Sequence, residues 1–320
     1  MTSDPAGVPR EAPRDGAWEK PGGSPLRPVI AGLLVCGALY TTVGALVLSV
    51  VVVAFSASDW SWAQAGGLVD FLLSYYRRFQ VSILVVTAVM EYSIFLGLTV
   101  LLVRRWHSSR PVRYLHYRAP DARDLLLAAV GAVAIVPLAG LLDSWSYALF
   151  PVLKELRGGE AALLSVRSPG QLVLVVLAIS VTPAICEETL FRGWLQGTAR
   201  RRLRAVPAIA ITGVLFALFH ASPLSIVALA FVGFYLGFVF ELSGTVAVSM
   251  TAHGLYNLTI IGVVAAAGRW PWLSDEAGDF TVPVTLAAAA VWVLVVALMA
   301  LRGLGAARAR GGPADESWRP

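Results

Sequence analysis

The sequence predicts an all-α polytopic membrane protein, with about eight transmembrane helices bundled around an internal cavity. Three observations carry that prediction. First, 57% of the 320 residues are hydrophobic, only 14% are charged and the mean hydropathy is +0.72, whereas soluble domains carry about 25% charged residues. Long uncharged runs recur along the chain, as a hydrocarbon layer about 30 Å thick requires. Second, the basic residues sit at the ends of those runs rather than on one polar domain. The net charge of +5 therefore reports topology and not nucleic-acid binding. Third, one run contains Glu187, Glu188 and Arg192, although an ionised side chain at the bilayer centre costs about 2.5–3.5 kcal/mol on insertion scales.

Taken in order, residues 1–28 are rich in Pro, Gly and charge without an apolar core, and read as an unstructured cytoplasmic tail without a cleavable signal. The first span is Val29–Phe55, followed by Trp60 and Trp62 at the interface. The second, Phe79–Val103, contains Glu91, read as a lone polar side chain facing the bundle. The loop after it carries Arg104, Arg105, Arg110, Arg113, Arg118 and Arg123, which places it in the cytoplasm. Residues 29–124 thus form an N-terminal membrane region with a basic cytoplasmic loop.

The third span, Leu125–Phe150, holds Pro137, and residues 151–170 read as a loop or a short surface helix. The fourth, Leu172–Ala199, carries the acidic pair. Pro183 lies four residues before Glu187, where it frees a carbonyl and bends the helix. Arg200, Arg201, Arg202 and Arg204 anchor its end. The fifth span, Pro207–Ala221, is short and ends at His220. The sixth, Leu224–Phe240, has Gly233 and Gly237 at the spacing that lets helices approach closely.

The seventh span, Thr245–Val264, holds His253 and Asn257. An acidic extracytoplasmic loop and the eighth span, Val284–Leu301, make up residues 266–303. An unstructured tail occupies 304–320. Eight spans leave both termini in the cytoplasm. The Ala-, Arg-, Gly- and Val-rich composition suggests the cytoplasmic membrane of a high-GC bacterium. Cys36 and Cys186 both fall inside apolar runs and read as buried thiols, not as a disulfide or a nucleophile.

Depth can be counted at about 1.5 Å per helical residue. Glu187 then lies about 20 Å from Arg200, and His220 about 20 Å from Pro207. His253 and Asn257 lie roughly 12 and 18 Å from Thr245. Three spans place polar side chains in one layer of the membrane. Glu188 and Arg192 are four apart on one helix face, in the order that favours an ion pair, which leaves Glu187 unspoken for. His253 and Asn257 share a face, as do Phe216 and His220.

The succession Glu187-Glu188-x-x-x-Arg192, Phe216-x-x-x-His220 and His253-x-x-x-Asn257 resembles the CPBP family. These are the CAAX-prenyl-protease and bacteriocin-processing intramembrane endopeptidases, also called the ABI domain. The motifs cover 187–257, and the resemblance implies a protease core over about 125–265 with its catalytic cavity inside the bundle. It implies hydrolysis of a peptide bond in the C-terminal region of a membrane-associated or lipid-modified protein or peptide.

Such chemistry needs a base for the attacking water and donors for the developing oxyanion. Glu187 is the expected base. His220 would position the same water or bind a metal, and His253 and Asn257 would hold the scissile carbonyl. Glu188 with Arg192 would orient Glu187, and Phe216 would pack. Glu187, His220 and His253 could also hold zinc with a bound water, although no His-Glu-x-x-His is present. A metal-free glutamate mechanism needs only the same residues, and the resemblance implies it more strongly.

Two other readings compete. One is a non-catalytic scaffold or bacteriocin-immunity-type protein on the same fold. The other is a proton-coupled transporter using Glu91, Glu187 and His253, against which stands the lack of two related halves. The expected partners are a peptide or protein substrate and the lipid bilayer. The sequence specifies neither the substrate nor the oligomeric state.

Overall fold

A computed structural model describes residues 26–56, 68–149, 163–220, 222, 225–267 and 282–311. Among these, every regular element is helical. The first helix is α1 (Leu26–Ser56). A second, α2, covers 68–106 as Leu68–Met90, a π-helical stretch Glu91–Leu98 and Thr99–Trp106. After it come α3 (Ala122–Leu149) and α4 (Pro169–Ala199). The remaining four are α5 (Ala205–Phe219), α6 (Ile226–Ser243), α7 (Val246–Ala267) and α8 (Val284–Gly311). Seven helices are long and apolar enough to cross a membrane, and the chain is an integral, multi-pass membrane protein.

The eight expected spans correspond to these eight helices, with instructive differences. The fifth has only 15 residues, about 22 Å at 1.5 Å per residue and short of a 30 Å hydrocarbon core. It stops at Phe219 because Pro223 follows closely, and the residue before a proline is steered away from helical backbone. The second helix begins at Leu68, eleven residues ahead of the expected start, with non-helical backbone at Phe79 marking a kink there. At the N-terminus, α1 begins at Leu26, inside the expected tail. The last helix runs on to Gly311, through residues expected to be unstructured, because its Ala- and Arg-rich sequence favours helix. Trp60, Trp62, residues 151–162 and the acidic loop 269–279 lie outside the described residues.

Irregularity in α4 follows from its sequence. Ser168 caps the start, accepting from the Gln171 amide at 3.2 Å. A π-helical stretch, Val176–Val181, precedes Pro183, and a second, Thr189–Gln196, follows the acidic pair. Proline removes one backbone donor, and widened turns beside it absorb the displaced carbonyl. The acidic pair therefore sits on one short α-helical piece, Thr182–Glu188, between two wide turns.

Around α4 the remaining helices form a bundle. Helix α3 packs against α6, α7 and α8, α5 pairs with α6, and α4 lies between α2 and α7. The wall around α4 is apolar, with Cys186, Leu190, Phe191 and Trp194 all buried. The contact between α5 and α6 is close enough that a Cβ on Gly233 would come within 2.9 Å of the Gly213 backbone. Helix α6 ends at Gly244, whose φ of 72° closes the helix in the left-handed region.

A polar ladder sets the register of α4 against α6. Arg192 donates to the Gly233 carbonyl at 2.9 Å, Gln196 to the Gly237 carbonyl at 3.0 Å, and Arg200 Nε to both Glu241 oxygens at 2.9–3.0 Å. The rungs are spaced four residues apart on both helices. Sliding one helix by a residue would break all three at once, and each buried group left unpaired costs about 1–3 kcal/mol.

The arginine-rich loop folds against the bundle. Tyr114 reaches Thr198 at 2.9 Å and His107 at 3.1 Å, the Thr245 hydroxyl donates to the Arg118 carbonyl at 3.0 Å, and the Leu115 carbonyl lies against Gly193. His107 and His116 are buried there. Burial, reinforced by the charge of Arg201, pushes their rings down to about 4 and about 3. Both are neutral packing groups, outside the acidic layer.

Candidate active site

Glu187 and Glu188 are adjacent, but the fold gives them opposite surroundings. Glu188 is fully buried, and its Oε1 accepts from Arg192 at 2.8 Å and from His253 Nδ1 at 3.0 Å. The expected pair with Arg192 is therefore present, and it is extended. Glu188 joins α4 to α7 by orienting His253. A carboxylate held by arginine can only accept, so His253 carries its proton on Nδ1 and turns Nε2 the other way.

Glu187 is 7% exposed, and its Oε2 has no hydrogen-bond partner among the described residues. The nearest ion-pair candidate is His220 Nε2, 3.8 Å away. His220 follows the last residue of α5, and its Nδ1 lies 2.8 Å from the Phe216 carbonyl. That oxygen accepts, so Nδ1 donates, and Nε2 is the ring nitrogen turned toward Glu187. At 3.8 Å the two atoms are too far apart for a direct hydrogen bond, and the gap is one that a single water can bridge.

Phe216 packs at the junction of these groups. Its ring centroid lies 4.6 Å from that of His220 and 5.8 Å from that of His253, and the Arg192 guanidinium sits over its face at 4.6 Å. The ring thus separates the two histidines while holding both in place. Asn257 donates one amide N–H to the Ile179 carbonyl at 2.9 Å, tying α7 to the π-helical part of α4 and leaving its second N–H for another acceptor. Beside it, Ser180 donates to the Gly254 carbonyl at 2.7 Å.

The fold therefore bonds Glu188 directly to Arg192 and His253, leaves Glu187 3.8 Å from His220, sets Phe216 between the two histidines and ties Asn257 to the Ile179 carbonyl rather than to these groups. It does not assemble a metal cage. Among the described residues no three His, Cys, Asp or Glu side chains converge as metal ligands. Glu187, His220 and His253 thus do not meet at one point as a zinc site needs. A cavity of about 700 Å³ lies elsewhere, between α3, α7 and α8. It is lined by aliphatic side chains such as Ala134, Pro137 and Leu255, without a titratable group.

Sequence reasoning missed the link from Glu188 to His253 and the anchoring role of Gln196, Arg200 and Glu241. A signal for the ladder was available in the four-residue spacing of Arg192, Gln196 and Arg200, matched by that of Gly233, Gly237 and Glu241.

Fold and site together define a helical membrane protein with a buried glutamate–histidine centre. Residues 169–259, the stretch from the start of α4 to just past Asn257, match the family model described as Type II CAAX prenyl endopeptidase Rce1-like. Over that stretch the chain is similar to the CAAX-protease family that the three motifs resemble. No curated protein and no solved structure shows significant similarity to the chain.

Proposed function

We propose that the protein is an intramembrane endopeptidase that uses a glutamate-activated water. The observation that carries this reading is the facing of Glu187 Oε2, unbonded among the described residues, and His220 Nε2, 3.8 Å apart. Water held between them is polarised from both sides. Glu187 takes one of its protons, and the oxygen forms a bond to the scissile carbonyl carbon. The carbonyl oxygen becomes an oxyanion, for which the free N–H of Asn257 is a donor. Glu188 orients His253 on the same helix as Asn257, with its Nε2 edge turned away from the carboxylate toward the scissile carbonyl. The tetrahedral species then expels the nitrogen, breaking the C–N bond as the nitrogen gains a proton.

The substrate is a peptide or protein already at the membrane, since the centre lies about 20 Å from the arginine-rich helix end by helical rise, and a cut near its C-terminus is what the similarity to CAAX endopeptidases implies. Both termini and the arginine-rich loops belong on the cytoplasmic side by the bias of basic residues. Comparative proteomics of membrane C-termini tests the reading. A deletion strain and a Glu187→Gln strain should accumulate the same unprocessed proteins. If the Glu187→Gln strain processes everything that the wild type does, the protein is a scaffold on this fold and the reading is wrong.

A further inference from the structure

The reading above leaves unused a buried acid on the helix segment packed against the acidic pair. Glu91 is only 5% exposed, and its Oε2 has no hydrogen-bond partner among the described residues. It is the first residue of the π-helical stretch Glu91–Leu98, which packs against the α4 piece Thr182–Glu188 that carries Glu187. Widened turns of this kind recur at functional sites because they re-aim a side chain at little cost to the helix. Counted from the arginines that end their helices, Arg104 and Arg200, the two glutamates lie at the same depth, about 20 Å at 1.5 Å per residue. The same π-helical stretch reaches the second half of the centre through Phe95, whose ring lies 6.3 Å from that of Phe219, the residue before His220.

Among the described residues, no ion pair to Glu91 is present. Tyr40 of α1 stacks on Phe95, four residues on, at 4.7 Å, and the α4 piece packed on this stretch carries Cys186 and Glu187. Arg192, on the adjoining turn of α4, is taken by Glu188 and the Gly233 carbonyl. Arg77 and Arg78 on α2 lie more than a dozen residues away toward the opposite end from Arg104 and Arg105. The stretch that begins at Glu91 packs directly on the α4 piece that carries Glu187. Where two carboxyls share a dry site, like charge favours a single proton between them.

We propose that Glu91 is the acid partner of Glu187, the group that supplies the proton taken by the leaving nitrogen. This rests on the endopeptidase reading and completes its balance. The cycle starts with Glu187 ionised and Glu91 protonated. Glu187 takes a proton from water as the C–O bond forms, and Glu91 gives its proton to the nitrogen as the C–N bond breaks. The products separate as carboxylate and ammonium, the new acid's proton passing to the amine. Glu187 then returns its proton to Glu91. One water and one peptide bond are consumed, and both carboxyls regain their starting states.

The test exploits the leaving group. A peptide ending in a prenylated cysteine and three further residues is made in two forms, with an amide or an ester at the bond after the cysteine. An alkoxide needs far less help from an acid than an amine does. Purified full-length Glu91→Gln should therefore cleave the amide about a hundredfold more slowly than wild type, the scale of general acid catalysis, while cleaving the ester nearly as fast. Glu91→Asp, which keeps the acid on a shorter arm, should recover part of the amide rate. Glu187→Gln should lose both activities.

Equal slowing of amide and ester by Glu91→Gln would mean a packing role, and no slowing of either would mean no role; each result overturns the proposal. Should Glu91→Gln fail to fold, the amide-to-ester ratio of Glu91→Asp decides. A ratio unchanged from wild type rejects the proposal. Wild-type protein that cleaves neither form would instead sink the endopeptidase reading itself, a result distinct from those above.

Discussion

Two faces of α4 run side by side and behave in opposite ways. Glu188, Arg192, Gln196 and Arg200 each bond to a partner on α6 or α7, in part through backbone carbonyls that cannot move without moving the helix. Glu187, one residue from Glu188, keeps an oxygen unbonded 3.8 Å from His220 Nε2, on a piece of α4 that packs against the stretch beginning at Glu91. The first face spends its polar groups on register. The second leaves them unsatisfied in a place where an unpartnered group costs free energy. Charge that stabilises is paired, and charge available for chemistry is left without a partner until substrate and water arrive.

That contrast breaks most sharply on activity. Glu187→Gln should lower kcat by about 10²–10⁴-fold, the usual range for a general base. It should leave the thermal midpoint in detergent unchanged or raised, because the substitution removes a buried acid whose Oε2 has no hydrogen-bond partner among the described residues. A fall in the midpoint would mean that Glu187 is structural.

Next in size is the mirror experiment on the first face. Glu188→Gln strands the buried Arg192 guanidinium and should destabilise the protein by about 3–5 kcal/mol, as does loss of one partner of a buried pair. Chemical denaturation in detergent measures it. A cost near zero would show that the α4–α7 link does not hold the bundle.

Smaller again is Gly233→Ala. Its Cβ would lie 2.9 Å from the Gly213 backbone, where nothing flexible can yield, and overpacking of this kind costs about 1–3 kcal/mol. The variant tests the ladder through its spacing, since α6 must back away from α5 or tilt. The smallest effect belongs to Arg200→Lys at the end of the ladder. Arg200 and Glu241 keep some solvent access, with side chains 8% and 14% exposed. An ammonium can still meet the carboxylate but cannot also reach the Leu203 carbonyl from the same fork, so the loss should be about 1 kcal/mol.

Much of this was legible in the sequence, for identifiable reasons. Helix positions follow from the length of apolar runs, because hydrocarbon forbids unpaired backbone. The Glu188–Arg192 pair follows from spacing along one helix, and the layer shared by Glu187, His220, His253 and Asn257 follows from counting residues. What failed was local. The length of α5 depended on where Pro223 stops a helix, and the extent of α8 on the helix preference of its Ala- and Arg-rich end. The partner of His253 was missed because Glu188 already had one on its own helix, and a carboxylate oxygen can accept twice.

The sequence by itself determined that the chain lies in a membrane, which runs form its helices, and that three of them carry acid, imidazole and amide groups at one depth. Periodicity and transfer energy are properties of single segments, so one chain suffices to read them. Only the tertiary structure decided which neighbour each group meets. It turned Glu188 toward His253, left Glu187 opposite His220, and brought Glu91 beside them from a helix almost a hundred residues earlier. The rotation of a helix about its axis and its offset along a neighbour are set by packing and by the hydrogen bonds between helices, and neither is written in any one segment.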